Sequence, residues 1–362
     1  MLLVWGGPAK EVPVRGNADW ARWQADAMAD TNRQWLLAER PVGRPDMECF
    51  ELVQTEVPAP ADDEVLVRTR YLSVDPYMRG RMRDAESYAE PWDVGEPMKA
   101  GVVGEVVESR HPRFHAGDIV TGNLLWADYA TAPGHRLVPV DPDLGPISTA
   151  LGVLGMPGRT AYFGTLDVAE VRPGDTVLVT AAAGAVGSVV GQLAKLSGCR
   201  VVGIAGSDSK LEFITEECGM DAGINYKAER VHDAIGETCP DGVDVYFDNV
   251  GGEITDAAFR HLTVGARVAV CGQIALYNAQ DIPTGPRKLG RLITKRARVE
   301  GFLVSDFDHR REEATRRLAQ WVGSGDITYR ETITEGLENA PDAFLGLFEG
   351  ENIGKQLVEV GE

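Results

Sequence analysis

The chain has 362 residues, of which 44% are hydrophobic and 25% are charged. Its 36 basic and 55 acidic side chains give a formal net charge of −19. That balance argues against a nucleic-acid-binding protein and against docking on anionic membranes, because both need a positive surface. The length predicts two or three domains, at about 100–200 residues per domain.

Five cysteines are scattered along the chain without a Cys-x-x-Cys pair. This spacing favours reduced thiols in a cytoplasmic protein over a disulfide framework or a zinc ribbon. We expect no secretory signal, because Gly6, Gly7 and Pro8 end the short apolar run at the amino terminus.

The first 27 residues do not share the pattern of the chain that follows. Residues 17–29 have the spacing of a short helix, with Trp20, Trp23 and Met28 as its apolar face. Met28 would itself make a natural start. We therefore predict that residues 1–30 are an extension, and that a truncation beginning at Met28 keeps full activity.

From Trp35 to about Val140 the sequence predicts mostly strands. Short valine-rich runs bounded by Gly, Pro and Asp lie at 64–71, 101–108, 118–121 and 137–140. Several short strands at this spacing predict a small barrel or a sandwich.

After Val171 the pattern changes to an alternation of apolar strands with segments of helical length. The strands are predicted at 177–180, 201–205, 222–225, 243–247, 267–271 and 298–302, with helices such as 185–196 and 208–218 between them. This alternation is typical of βαβ units that build a parallel sheet. Beyond it we predict helices at 310–322 and near 339–348, and a closing strand at 356–360.

The sharpest local signal is the glycine-containing turn at 180–188, which follows a predicted strand and opens a helix. Gly184 lets the backbone approach a pyrophosphate, and Gly187 lets the helix pack closely on the strand. The first glycine of the usual Gly-x-Gly-x-x-Gly pattern is Ala182 here. The turn therefore predicts a dinucleotide site, and the alternative is a tight turn that binds nothing.

The end of the second strand of this unit indicates which dinucleotide binds. An NAD enzyme places an acidic residue there for the ribose hydroxyls. Here Gly206 and Ser207 form a small tip, and Lys210 lies close by. This chemistry favours the 2′-phosphate of NADP, with Asp208 as a helix cap rather than a ribose ligand. The alternative is that Lys210 is an ordinary exposed lysine.

Several dehydrogenase signatures are missing from the sequence. No Tyr has a Lys four positions later, as a short-chain dehydrogenase would require. The stretch 100–104 lacks any side chain that could bind a metal, and the first 150 residues contain one cysteine and no Gly-His-Glu. We expect no metal site.

Motifs along the chain resemble the zinc-independent medium-chain dehydrogenases/reductases of the prostaglandin reductase, leukotriene hydroxydehydrogenase and alkenal double-bond reductase group, which includes bacterial curcumin-reductase-like proteins. The motifs occur in the same order from about residue 33 to residue 360. They are the segments 73–79, 155–158, 160–164, 181–188, 206–210, 225–227, 247–252, 271–278, 301–304 and 352–355.

The resemblance implies an α/β fold with a Rossmann-type parallel-sheet domain and a GroES-like β-barrel domain. It places the GroES-like catalytic domain at 31–158, the NADP-binding domain at 159–302 and a return to the catalytic domain at 303–362. Relatives in this group also imply a homodimer.

The resemblance further implies which residues contact NADP, several of which also follow predicted strands at the ligand-binding edge of the sheet. They are Met156, Gly184, Ala185, Val186, Gly187, Lys210, Tyr226, Asn249, Cys271, Ile274, Tyr277, Phe302, Val304 and Asn352. For Tyr226 and Phe302 the alternative is plain packing. Tyr77 and Met98 are predicted to line the substrate pocket, with core packing as the alternative.

The implied reaction is NADPH-dependent reduction of the carbon–carbon double bond of an α,β-unsaturated aldehyde or ketone, without a metal. Tyr277 is the candidate catalytic residue, either as proton donor or as an orienting group for the carbonyl oxygen. The alternatives are an NADPH quinone reductase of the same superfamily, a non-catalytic NADPH-binding protein, and an alcohol dehydrogenase, which the missing zinc ligands disfavour.

Overall fold

The computed structural model describes residues 31–85, 87–281 and 283–361. The predicted helix at 17–29 and the proposed start at Met28 lie outside the described residues.

The described chain begins with an antiparallel β unit. Valine-rich runs form its long strands because alternate residues, such as Val65 and Val67 with no exposed surface, point into one core. The strands are β1 (Asn32–Leu37), β2 (Phe50–Thr55), β3 (Glu64–Ser73), β4 (Lys99–Ser109), β5 (Ile119–Leu125), β6 (Tyr129–Pro133) and β7 (Val138–Pro139). Strands β1 and β2 pair with each other, and the rest belong to a larger sheet.

The middle of the chain forms a six-stranded sheet in which every pairing is parallel. Its strands are β8 (Thr176–Thr180), β9 (Arg200–Ala205), β10 (Ala222–Asn225), β11 (Val243–Asp248), β12 (Leu262–Val270) and β13 (Arg298–Gly301). Their spatial order is β10-β9-β8-β11-β12-β13. This is the 3-2-1-4-5-6 order of dinucleotide-binding sheets, in which the strand order reverses between the first and fourth strands.

Nine α-helices lie in the described part of the chain. They are α1 (Met78–Arg81), α2 (Met156–Phe163), α3 (Gly187–Leu196), α4 (Asp208–Glu212), α5 (Val231–Thr238), α6 (Gly252–Ala258), α7 (Gly290–Lys295), α8 (Arg311–Ser324) and α9 (Ala340–Glu349). Helices cover both faces of the parallel sheet. Val177 and Val179 of β8 join the core beneath α3, whereas Leu178 joins the opposite core beneath α5 and α6, as the two-residue period of a strand requires.

The last two strands, β14 (Glu331–Glu335) and β15 (Lys355–Glu359), return to the antiparallel sheet. That sheet has the order β14-β15-β3-β4-β5-β7, with β6 paired to β3. Its core contains an aromatic group in which the rings of Phe50 and Trp126 stack with centroids 6.5 Å apart, and Phe344 of α9 meets Phe50 edge-on at 6.2 Å. The carboxyl-terminal segment is thus an integral part of the first unit.

The predicted fold class, a parallel-sheet domain joined to a β domain, is confirmed. One predicted detail differs from the structure. The strand predicted at 267–271 begins earlier, at Leu262, because β12 also pairs near its start with Val243. In the last segment of the chain, Ala314 and Leu318 of α8 pack in the same core as α3.

Candidate functional site

A cleft of about 910 Å³ runs along the carboxyl edge of the parallel sheet and is walled on its other side by the β unit. All the predicted NADP contacts and Tyr77 line it. These are Met156, Gly184, Ala185, Val186, Gly187, Lys210, Tyr226, Asn249, Cys271, Ile274, Tyr277, Phe302, Val304 and Asn352. The fold therefore brings into one cleft the predicted NADP contacts, which are spread over nearly two hundred positions between Met156 and Asn352.

Met98 does not lie in this cleft. It has no exposed surface, packs in the core of the β unit and immediately precedes β4; its backbone N–H donates to the Trp35 carbonyl and its carbonyl accepts from the Trp126 N–H. Those contacts fix Met98 within the aromatic core of the β unit. The prediction that Met98 lines the substrate pocket is corrected accordingly, and core packing is its role.

The glycine-containing turn connects β8 to α3 and packs so closely that it leaves little room for side chains. A Cβ atom at Gly187 would lie 2.3 Å from the Ala181 carbonyl oxygen, whereas one at Gly184 would lie 3.2 Å from it. Ala182, which replaces the usual first glycine, is fully buried, and Gly203 of β9 leaves room for its methyl group. The N–H groups of Ser188 and Val190 already donate to the Gly184 and Val186 carbonyls, both at 3.0 Å. The N–H groups of Val186 and Gly187, two residues that line the cleft, have no acceptor in the described part of the chain, which suits an anionic ligand.

The end of β9 carries the charge predicted to select the dinucleotide. Lys210 donates from Nζ to the Gly350 carbonyl at 2.8 Å and lines the cleft beside Lys227. Burial, and then the positive charge of Lys227, lower the pKa of Lys210. Lys227 was not among the predicted residues, although it directly follows Tyr226. Two ammonium groups therefore lie at one end of the cleft.

The loop after β9 differs in one detail from the prediction. Ser207, not Asp208, caps α4: its side chain accepts from the Lys210 N–H. Asp208 accepts instead from Asn225 Nδ2 at 3.0 Å. Gly206 is required here because a Cβ atom would lie 2.8 Å from the Tyr226 ring. The ring therefore lies across the strand end, against the cleft.

Asn249 lies where the strand order reverses, between β8 and β11. Its backbone N–H donates to Thr180 Oγ1 at 2.8 Å, and its side-chain amide donates to the Thr180 carbonyl at 2.7 Å. The buried Asp248 carboxylate accepts from the N–H groups of Val250 and Gly251. These bonds hold the loop open at the crevice where doubly wound sheets bind ligands.

Tyr277 follows a short turn after β12. Its hydroxyl accepts from the Gln273 N–H at 3.3 Å, and its own proton has no acceptor among the residues that the structure describes. Burial raises the pKa of Tyr277. Burial also raises the pKa of the neighbouring Cys271 thiol to about 12. Both groups therefore stay protonated at neutral pH, and Tyr277 offers a neutral O–H to the cleft.

The carboxyl-terminal side of the cleft is built from Phe302, Val304 and Asn352. The Phe302 ring meets Phe247 edge-on at 6.3 Å. Asn352 Nδ2 donates to the Gly354 carbonyl at 2.9 Å, and the Gly354 N–H donates to Ala183 at 2.7 Å. This bridge ties the last segment of the chain to the glycine-containing turn.

The wall formed by the β unit carries two tyrosines, Tyr77 and Tyr88. Beneath Tyr77, the buried Lys355 donates from Nζ to Asp75 Oδ1 at 3.0 Å and to the Val74 carbonyl at 2.9 Å. This pair fixes the segment that leads into Tyr77. Tyr88, in the loop before β4, was not predicted, since no motif marks it.

No helix in the described part of the chain is both long and apolar enough to span a bilayer. No group of three or more His, Cys, Asp or Glu side chains is arranged to share a metal ion within the residues the structure covers.

Comparisons with known proteins give the chain its family. Residues 33–140 match a family described as the N-terminal domain of oxidoreductase, and residues 185–321 match one described as zinc-binding dehydrogenase. The putative NADP-dependent oxidoreductase YfmJ of Bacillus subtilis is 50% identical over 92% of this chain and 99% of its own length.

The NADPH-dependent curcumin reductase of Escherichia coli is 46% identical over 91% of this chain and 97% of its own. The crystal structure of CurA from Vibrio vulnificus in complex with NADPH superposes with a TM-score of 0.87 at 46% identity, covering 91% of this chain and 99% of that one. The chain therefore belongs to the NADP-dependent reductases of the medium-chain dehydrogenase/reductase family, as its motifs predict.

Proposed function

We propose that this chain binds NADPH in the cleft and reduces the carbon–carbon double bond of α,β-unsaturated aldehydes or ketones. The observation that carries the proposal is Tyr277, a protonated hydroxyl with no protein acceptor among the described residues, in the same cleft as the glycine-containing turn. The name of the Escherichia coli relative, a curcumin reductase, supports the same chemistry.

The residues of the cleft fit NADPH. The close packing at Gly187 and the space at Gly184 allow a pyrophosphate to approach the start of α3. Lys210 after the second strand and Lys227 after the neighbouring third strand supply two cations to the cleft, close to the position of the adenosine ribose in this sheet type. A 2′-phosphate there gains charge-assisted hydrogen bonds that NADH cannot make.

Bound NADPH supplies a hydride. When the β carbon of an enone gains a hydride, negative charge develops on the carbonyl oxygen as an enolate forms, and the α carbon then takes a proton from solvent or from a donor in the cleft to give the saturated carbonyl compound. A neutral O–H donor stabilises that charge in a site with little water. Because burial raises the pKa of Tyr277, the hydroxyl keeps its proton through and above neutral pH. Tyr277 is thus suited to donate a hydrogen bond to the enolate oxygen.

The proposal is tested by NADPH oxidation with a panel of alkenals, enones, quinones and saturated aldehydes. We expect turnover with alkenals and enones, with the saturated carbonyl compound as the product. Turnover with quinones alone would favour a quinone reductase. Tight NADPH binding without turnover on any member would favour a non-catalytic protein.

The Tyr277→Phe variant tests the residue assignment in the same assay. Loss of one donor to an oxyanion costs about a hundredfold or more in turnover, and we expect a loss of that size with a much smaller change in NADPH affinity, since only one hydroxyl is removed. A loss smaller than about threefold would show that Tyr277 is not the donor, since even a weak neutral hydrogen bond contributes about that much.

A further inference from the structure

Two arginines of the β unit reach across to the loop that carries Tyr277. Arg79 of α1 donates from Nε to Asn278 Oδ1 at 3.1 Å. Arg83, just after the same helix, donates from Nη2 to the Tyr277 carbonyl at 2.7 Å and to the Ala279 carbonyl at 2.5 Å. Three consecutive residues of the loop therefore each present an oxygen to one of these two guanidinium groups.

Arg79 has no exposed surface, which is unusual for an arginine. Its other contacts are to main-chain carbonyls of the loop at 41–43, and Nη1 has no hydrogen-bond partner in the described structure. Burial and the nearby charge of Arg83 lower the pKa of Arg79 to about 10. No carboxylate among the described residues is paired with it, so the energy of burying this charge is offset only by neutral acceptors.

On the side of the parallel sheet, the Tyr277 loop is held at its start, where the Ile274 and Ala275 N–H groups donate to the Asn249 and Val250 carbonyls at 3.4 Å and 3.0 Å. The turn at Ile274–Leu276 is a single short helical turn. The Tyr277 N–H donates to the Ile274 carbonyl at 3.3 Å, and the Tyr277 hydroxyl is held by one bond of 3.3 Å to the Gln273 N–H. The side of the loop that faces the β unit is held by the two arginines.

The helix that bears the arginines is, in contrast, firmly anchored. Met78 and Met82 have no exposed surface and pack in the core of the β unit. Tyr77 immediately precedes this helix and lines the same cleft. A single rigid element thus sets the position of Tyr77 directly and that of Tyr277 through hydrogen bonds.

We propose that Arg79 and Arg83 are positioning residues, which hold the Tyr277–Asn278–Ala279 segment against the β unit and so place the Tyr277 hydroxyl over the substrate. This inference rests on the proposed function, because it takes Tyr277 as the donor to the substrate. Neither arginine lines the cleft, so both act through the loop rather than by touching substrate. A small displacement of a catalytic group can reduce turnover about a hundredfold.

The test is a double-mutant cycle in which Arg83→Ala is made alone and together with Tyr277→Phe. Arg83 is half-buried, which makes it more tolerant of substitution than Arg79. Arg81→Ala is the matched control, since Arg81 lies on the same helix but donates to Glu90 and stacks over Trp92. Arg83→Lys is the conservative variant, because both bonds of Arg83 come from one nitrogen, which an ammonium can replace.

We expect Arg83→Ala to lower kcat for enone reduction about tenfold to a hundredfold, with a much smaller change in the dissociation constant of NADPH. Combined with Tyr277→Phe, the same substitution should lower kcat less than about twofold further, since coupled residues are not additive. Arg83→Lys should recover most of the rate. Equal losses with and without Tyr277→Phe, or an equal loss in Arg81→Ala, would overturn the proposal.

Hydrogen exchange of the peptide at 274–280, measured in the NADPH complex, tests the same contact without any substrate. Exchange should be faster in Arg83→Ala and unchanged in Arg81→Ala; unchanged exchange in both would overturn the proposal. If the native protein reduces no enone, the proposed function fails, and hydrogen exchange alone then tests whether Arg83 holds the loop. If it reduces enones but the cycle is additive, only the positioning role fails.

Discussion

At the scale of single residues, the net charge of −19 coexists with a local cluster of cations. Lys210 and Lys227 meet at one end of the cleft. Exposed charges more than about 10 Å away are largely screened by salt, so two nearby ammonium groups outweigh a distant negative surface. We therefore propose that these two lysines, rather than the overall charge, select the dinucleotide.

We expect Lys210→Ala to weaken NADPH binding about ten- to a hundredfold, since a hydrogen bond to a charged group contributes about 1.5–3 kcal/mol. NADH binding should hardly change, because NADH has no 2′-phosphate. Isothermal titration with both dinucleotides measures this selectivity. Lys195→Ala is the control, as it removes the same charge at an ion pair with Asp221, outside the residues that line the cleft. Equal losses for both dinucleotides would refute the assignment.

Among the helices, strands and turns, the sequence predicts those whose structure is set by residues close to one another in the chain. The strand–turn–helix around Gly184 and Gly187 is local, so its motif predicts both its fold and its place in the cleft. Strand β14 is not predicted, because it is stabilised by pairing with β15, over twenty residues later. The contacts of Arg79 and Arg83 span 199 and 194 residues, and no local pattern signals them. Met98 was assigned wrongly because the sequence around an apolar residue does not show whether its side chain points into a pocket or into the core.

The turn from β8 to α3 should tolerate no side chain at Gly187. A Cβ atom there would lie 2.3 Å from the Ala181 carbonyl oxygen and 2.9 Å from Ala182 Cα, and both belong to the backbone. Gly187→Ala should therefore destabilise the protein by about 1–3 kcal/mol and weaken NADPH binding. Thermal unfolding with and without NADPH measures both effects.

Gly323→Ala is the matched control for that substitution. Gly323 lies in α8, and a Cβ atom there would have nothing within 4 Å. Alanine favours a helix over glycine by about 0.5–1 kcal/mol, so the melting temperature should stay the same or rise. A Gly187→Ala protein as stable as the control would contradict the close packing at this turn.

At the scale of the whole molecule, the parallel sheet ends in a strand that no element covers within the described chain. All four residues of β13 are exposed, and it pairs only with β12. Beside it, Leu289 and Ile293 are 75% and 80% exposed. An uncovered edge strand flanked by apolar side chains favours pairing with another chain. We propose that a second copy covers this edge, which agrees with the homodimer implied by the family resemblance.

We expect light scattering after gel filtration to give twice the mass of the chain. The combined Leu289→Glu and Ile293→Glu variant should give a monomer, since charges at a buried interface are costly. Val42→Glu is the control, because Val42 is 82% exposed and lies in the β unit. A native protein that elutes as a monomer would exclude the dimer. A variant that stays dimeric would place the interface elsewhere.

Reduction of a carbon–carbon double bond in the cleft, with Tyr277 as donor to the carbonyl oxygen, can be followed with NADPH that carries deuterium at both C4 positions of the nicotinamide. An enone is the substrate, and the product is analysed by NMR. We expect one deuterium on the β carbon of a saturated ketone, formed about a hundredfold more slowly by Tyr277→Phe. Deuterium on the carbonyl carbon of an alcohol, or no transfer from NADPH to the enone, would exclude this reaction.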